Sequence, residues 1–454
     1  MDSNHILSYV EQSNKLDRRG FLKGVGYSAG LTLAGSSLLA ACGNLSSLSD
    51  SGQIAPKGSK VSGSLTIAYL GTADQQKSWN ALFALFQKQY PNVKLKAQPN
   101  NSNNWAAFFN TLSTQIAGGK IPDIVQVATE GQRLFASRGL VEPIDAYMKR
   151  DADELADFFN DIDPHLKTWA KLSSTDGKTY YLPGEFNPMC IWYNSDMFHK
   201  AGVNEPDNTW TWDDLKTIAK KLSKPGVYGM QAQSAYFAGI MPWLLTNGAN
   251  VLNTSWTQST ITTPAAAEAL QFMRDLVAQG ISPAPGGTFD AFGAMAQGKL
   301  AMFGGGRWPI VNIRQLGITN KVKIVAWPRK TQQGSPIGFN AYPIMRASQN
   351  KEAAWAFVKF ITSKAASQYF ASQGGTIVPP RRSVATSDAF LSNAPQGSEN
   401  LYKALSYGSP LPAPDKENVI ELAIDNVSAQ ILTGNVSVQQ GLAQLDQQIK
   451  AALS

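Results

Sequence analysis

Between Leu65 and Ala128 two apolar stripes of helical period alternate with three short apolar runs, and no other stretch limits the fold so strongly. Leu65 to Leu70 predicts a strand ending at Gly71-Thr72. Trp79, Leu82, Phe83, Phe86 and Tyr90 then fall at i, i+3, i+4, i+7 and i+11, one face of a helix that Pro91 stops. Val93, Leu95 and Ala97 alternate with Lys94 and Lys96, the pattern of a strand with one wet face. Trp105, Phe108, Phe109, Leu112 and Ile116 form a second stripe closed by Gly118-Gly119, and Ile121 to Ala128 reads as a third strand. Strand, helix, strand, helix, strand calls for right-handed crossovers and a mostly parallel sheet.

The rest of the chain is more helical. Thr211 is a cap with Asp214 three residues on, and Trp212, Leu215, Ala219 and Leu222 line one side. Thr263-Pro264 opens a helix whose buried stripe is Leu270, Met273, Leu276 and Val277, with Gly280 at its end. Long helices are expected from about Lys351 to Phe370 and from Val438 to Leu453. At 454 residues the chain exceeds one ordinary domain, so two α/β lobes are expected.

Composition narrows the function. Apolar residues make up 43% and charged residues 16%, as in a packed globular chain rather than a disordered one. The net charge of +7 is thin and scattered, so no nucleic-acid partner is expected. Three histidines and two cysteines lie far apart, which argues against a metal site, and no cofactor is expected. No nucleophile motif or fixed carboxylate pair is present, so the chain is not expected to be an enzyme; a secreted glycosidase using Glu130 and Glu185 is the distant alternative.

Residues 1–41 read as an export segment. Arg18-Arg19-Gly20-Phe21-Leu22-Lys23 is a twin-arginine pattern, followed by a mildly apolar stretch and Leu39-Ala40-Ala41-Cys42-Gly43, which resembles a bacterial lipobox. Cys42 is therefore the expected lipidation site and mature N-terminus, anchoring the protein on the outer face of the cytoplasmic membrane. The Ser/Gly/Pro-rich run that follows predicts a flexible tether over 42–60, and Cys190 remains as the fold's one thiol, without a partner.

Four further stretches carry a resemblance. They are Tyr181-Leu182-Pro183 through Ile191-Trp192-Tyr193-Asn194 to Thr211-Trp212; Pro122-Asp123-Ile124-Val125; Phe292 to Met302 with Gly306-Arg307-Trp308; and Asn350 to Trp355 with Phe357 and Phe360. Together they resemble the family 1 extracellular solute-binding proteins of bacterial ABC importers, the maltose-binding-protein-like group. The resemblance implies a two-lobed periplasmic-binding-protein-like α/β fold with discontinuous lobes around a central ligand cleft. It implies crossings near Phe186–Pro188, near Trp327–Arg329, and once more after the Trp355 helix. The lobes are then 61–187 plus 328–364 and 188–327 plus 365–454. The implied partners are a small carbohydrate and the permease subunits of an ABC transporter, with the binding protein a monomer.

A neutral polyol in water is held by flat aromatic faces and by carboxylates or amides that meet its hydroxyls. Trp79, Trp212 and Trp355 lie on amphipathic stripes and read as core. Trp308 instead follows Gly304-Gly305-Gly306 and precedes Pro309, a turn in which bare backbone N–H groups could approach a ligand, and the family places a stacking aromatic there. Glu130 follows the third strand, where α/β clefts bind ligands, and the family commonly carries an acid after "PDI". By the same resemblance Asn187 lies on a hinge strand, Thr72 ends the first strand, and Trp105 matches an aromatic of several relatives. Asn340 completes the ligand set with Gly306 and Arg307, where Arg307 either meets the ligand or pairs with Glu185. A glycerol phosphate or an oligopeptide on the same scaffold remains the alternative cargo.

Overall fold

The computed structural model describes residues 54–71, 73–102, 105–373 and 375–454, and the expected export segment, Cys42 and Thr72 lie outside them. The described chain divides into two compact units, 54–109 with 122–454, and 110–121. The second is small and holds the C-terminal part of helix α2 (Trp105–Ala117). Gly119, at φ 73°, closes it as predicted: its N–H donates to the Ile116 carbonyl at 3.0 Å, and Lys120 N–H to Gln115 at 2.9 Å.

In the larger unit, β1 (Gly63–Leu70), α1 (Ala73–Gln89) and β2 (Val93–Asn100) realise the first βα repeat, with β1 parallel to β2 from Gly63↔Val93 to Leu70↔Asn100. The predicted third strand is instead two strands in different sheets. β3 (Ile124–Val125) pairs parallel with β1, giving the order β2–β1–β3, and β4 (Val127–Ala128) pairs elsewhere. The break is at Gln126, whose N–H still reaches the Ala68 carbonyl at 2.8 Å while its side-chain oxygen accepts from Leu70 N–H at 3.1 Å. Asp123 does the same one step earlier, accepting from Thr66 N–H at 2.8 Å. Side chains thus continue the ladder where the strand turns away. Helix α3 (Thr129–Ser137) follows directly.

After β5 (Phe186–Asn187) and β6 (Cys190–Asn194), helices α4 (Trp212–Leu222) and α5 (Pro264–Ala278) form as expected. α4 has its full capping box, Thr211 with Asp214, and α5 is capped by Thr263. The second sheet departs from the parallel expectation: β6 runs antiparallel to both β7 (Met302–Gly305) and β8 (Val322–Ala326). Both of its faces are dry. Ile191, Tyr193, Met302, Val325 and Trp327 enter one core, while Cys190, Trp192, Phe303 and Ile324 enter another. That explains the near-continuous apolar run at β6, which has no wet face to alternate with. Cys190 is free and buried, and burial pushes its thiol up to about 12.

β9 (Ser335–Ala341) joins the parts. It pairs antiparallel with β4 (Val127↔Ala341, Ala128↔Asn340) and β5 (Phe186↔Phe339, Asn187↔Gly338), and parallel with β10 (Gly408–Pro410). The single helix expected over 351–370 is two, α6 (Lys351–Ile361) and α7 (Lys364–Ser372). Thr362 donates back to the Val358 carbonyl at 3.1 Å, and Ser363 caps α7 by accepting from Ala366 N–H at 3.2 Å. α6 packs on β1 in a core with Leu65, Ile67, Phe83, Phe86 and Trp355. α8 (Glu417–Leu432) and α9 (Val438–Leu453) pack together in the core that holds Ile191.

Candidate functional site

The site is built on the crossing strands. Gly184 approaches β9 so closely that a Cβ there would stand 2.1 Å from the Asn340 carbonyl oxygen, and Asn340 N–H donates to the Glu185 carbonyl at 2.8 Å. Two residues on, Asn187 uses both ends of its amide. Its oxygen accepts from Arg307 N–H at 2.8 Å and its nitrogen donates to the Thr376 carbonyl at 3.3 Å. One side chain therefore ties β5 to the turn after β7 and to the segment after α7.

The three glycines before Arg307, read from the sequence as backbone open to a close-approaching ligand, are packed on their Cβ side against other side chains. Gly304 and Gly305 belong to β7, and rings fill the space: a Cβ on Gly304 would lie 2.5 Å from Trp327, and one on Gly306 2.3 Å from Trp308 and 2.7 Å from the Asn187 oxygen. Trp308 itself is partly buried in the turn, its ring 6.2 Å from that of Phe237. Phe237 also reaches Gly338 of β9, where a Cβ would meet its ring at 3.3 Å. Asn187, Gly306, Trp308 and Phe237 are thus one group beside β5, β9 and the turn after β7.

Arg307 is turned away from it. Its guanidinium is 1% exposed, donates to the carbonyls of Gly375 (2.7 Å), Phe390 (3.3 Å) and Ala371 (3.3 Å), and lies 3.7 Å over the Phe390 ring. Burial, then Arg314, lowers it to about 9, so it stays charged at neutral pH. It does not pair with Glu185, whose carboxylate among the described residues accepts from the Tyr342 hydroxyl, at 3.2 and 3.4 Å. Burial raises Glu185 to about 7, against its own backbone N–H and Tyr342.

Beside Glu185 is a cavity of about 210 Å³. Leu70, Trp79, Gln126 and Tyr342 line it from the β1 side, and Phe370 of α7 and Thr376 of the segment after it from the other. The ends of β1 and β3 open here, where strand order in an α/β sheet makes room for a ligand. Trp79 is both what the periodicity said, a core residue 5% exposed, and a wall of this cavity. The remaining expected residues scatter. Trp105 stacks on Phe109 at 5.9 Å in a separate aromatic group that continues to Phe135. Asn340 is held in β9. Glu130 lies in the first turn of α3, partly exposed, its carboxyl raised by burial against its own backbone N–H. Phe237, Gln126 and Tyr342 were not singled out from sequence; Phe237 lies in a π-helical turn, Tyr236–Ile240, which no apolar period marks.

The fold is that of known two-lobed solute-binding proteins. A solute-binding protein of Thermotoga lettingae bound to α-D-tagatose superposes with a TM-score of 0.75 at 24% identity, covering 87% of this chain and 100% of that one. The ABC substrate-binding protein of Listeria monocytogenes in complex with cycloalternan gives 0.74 at 22% identity, over 86% and 98%. In sequence, the chain is 26% identical over 419 residues to the mannitol-binding protein of Pseudomonas aeruginosa, 84% of this chain and 91% of that protein. The family described as "Bacterial extracellular solute-binding protein" matches residues 71–368, well over half the chain, and the chain belongs to it.

Proposed function

We propose that this protein captures a sugar or oligosaccharide outside the cytoplasmic membrane and delivers it to the permease of an ABC importer. The observation that carries the reading is the grouping of Trp308, Phe237 and Asn187, with Asn187 bonded to Thr376 in the wall of a mostly apolar cavity of about 210 Å³ into which Glu185, Gln126 and Tyr342 bring polar groups. Aromatic faces with a few amide and carboxyl groups suit a polyol. The mannitol, tagatose and cycloalternan proteins support the same cargo class. The chain binds rather than cleaves, in line with the solute-binding family to which it belongs.

The lobes are 61–187 plus 328–364 and 188–327 plus 365–454. This division is supported by apolar cores that draw respectively on 54–182 with 342–370 and mainly on 189–327 with 411–453. Closing the two lobes on the ligand is the transport signal, since a ligand touching both favours the closed state by its differential affinity. Residues 1–41 direct export and Cys42 carries the lipid. At the end of the proposed 42–60 tether, Ala55 is held by Glu352 and Arg150 at 2.9 and 2.7 Å. Incubation with labelled oligosaccharides tests the carrier reading: intact ligand recovered in stoichiometric amount is expected, and cleaved products would overturn it. Cys42→Ala should release the protein from membranes or leave it unprocessed.

A further inference from the structure

Glu417, Glu421 and Asp425 follow at four-residue intervals on α8, so they share one stripe. Helix α3 lies against the start of that stripe: Arg133 pairs with Asp415 at 3.5 Å, and Glu130 stands one turn before Arg133. The π-helical turn at Tyr236 closes the group, its Tyr236 N–H donating to Asp425 at 2.7 Å and its hydroxyl to the Pro412 carbonyl at 2.9 Å. Glu130, Glu417, Glu421 and Asp425 therefore lie on elements that come together at α3, α8 and the turn. Burial raises the carboxyls of Glu417 and Glu421, Glu421 to about 8, and the neighbouring Glu130 and Asp425 add to both.

Glu417 is the telling member. It is 1% exposed, and among the described residues neither of its carboxylate oxygens has a hydrogen-bond partner. A buried carboxylate in that condition is costly, and buried acids are normally paired. Among the described residues no ion pair reaches any of the four; Arg133 pairs instead with Asp415 at 3.5 Å and lies 5.6 Å from the Trp256 ring centroid. No group of three His, Cys, Asp or Glu side chains among the described residues is placed to hold a metal ion. Hydroxyls would donate to the oxygens but bring no charge. An ammonium brings three donors and a positive charge that several carboxylates can share. Directly after Tyr236 stands Phe237, beside Trp308, offering the aromatic faces a sugar ring needs.

We infer that this seam is the ammonium subsite of the ligand cleft, and that the solute is a saccharide bearing a free amine. The inference rests on the carrier reading above and specifies its substrate class. The test is calorimetric titration with glucosamine, galactosamine, mannosamine and glucosamine oligomers, each beside its N-acetylated twin, which removes the charge and keeps the ring. At least one amine is expected to bind tenfold or more tighter than its twin. Glu417→Gln and, as a second and half-exposed position, Glu421→Gln should bring the twins within threefold while both variants still melt cooperatively. Equal affinity of the twins, or a preference that survives both variants, overturns the inference and leaves sugar capture standing. Binding by none of these saccharides, nor by neutral sugars, overturns both.

Discussion

Arg307 and Glu185 each bury a formal charge beside Asn187, and the chain treats them oppositely. Around Arg307 three carbonyls and the Phe390 ring take up the guanidinium. Around Glu185 the described residues supply one tyrosine hydroxyl, at 3.2 Å, and a cavity adjoins it. A buried charge whose donors are consumed by backbone belongs to the frame, joining the turn after β7 to the segments at Ala371, Gly375 and Phe390. A buried acid with spare acceptors beside open space can still take a proton or a ligand hydroxyl. The sequence leaves Arg307 either to meet the ligand or to pair with Glu185; in the structure the two do not pair, and backbone carbonyls take the guanidinium.

The contrast breaks most readily at Arg307. Arg307→Met should cost about 3 kcal/mol or more in chemical denaturation, because three buried carbonyls lose their donor; a lost ligand affinity with an unchanged midpoint would return Arg307 to the cleft. Glu185→Gln should act with the opposite sign. A carboxyl raised from 4.5 to about 7 contributes stability that is fully present below about pH 4.5 and is lost as pH rises through 7. The glutamine variant should therefore melt above wild type at pH 8, by on the order of 3 kcal/mol at most, and match it near pH 4.5. Equal melting at both values would mean that Glu185 is solvated. Trp308→Ala should weaken ligand binding by about 2 kcal/mol, roughly 30-fold, with a smaller change in the unliganded melt; the reverse pattern would make Trp308 ordinary core. Smallest is Asn187→Ala, about 1 kcal/mol in affinity or stability, since it removes two bonds to backbone groups near solvent. A full loss of binding there would mean that Asn187 touches the ligand itself.

Helical stripes, caps and glycine stops were legible because they are written at short range: Thr211 with Asp214, Thr263 before Pro264, Gly119 after Ile116. The split at Gln126 and the break at Thr362-Ser363 were not, because each depends on side chains bonding to backbone in place of the ladder or helix. The antiparallel second sheet was hidden for another reason. Buried on both faces, β6 shows no alternation from which direction or pairing could be read. At the site, Trp308 stood out through its turn and Asn187 through the family resemblance, whereas Tyr342 and Phe237 gain their places through contacts distant in sequence. The acids of α8 did carry a sign, Glu417, Glu421 and Asp425 on the face of Ile420 and Ile424, which are buried. Charge on the buried side of an amphipathic helix is a pattern worth reading for function.

The central claim, a sugar held at the crossing strands against Trp308, is tested most directly by a thermal-shift screen across mono- and oligosaccharides, amines included, run on wild type and Trp308→Ala together. A true ligand at 100 times its dissociation constant adds roughly 2.7 kcal/mol to stability. The account predicts that at least one saccharide raises the wild-type melt by that amount and that Trp308→Ala, folded without ligand, loses most of the shift. Stabilisation by a phosphate ester or a peptide with none by any saccharide, or a saccharide shift undiminished in Trp308→Ala, would contradict it.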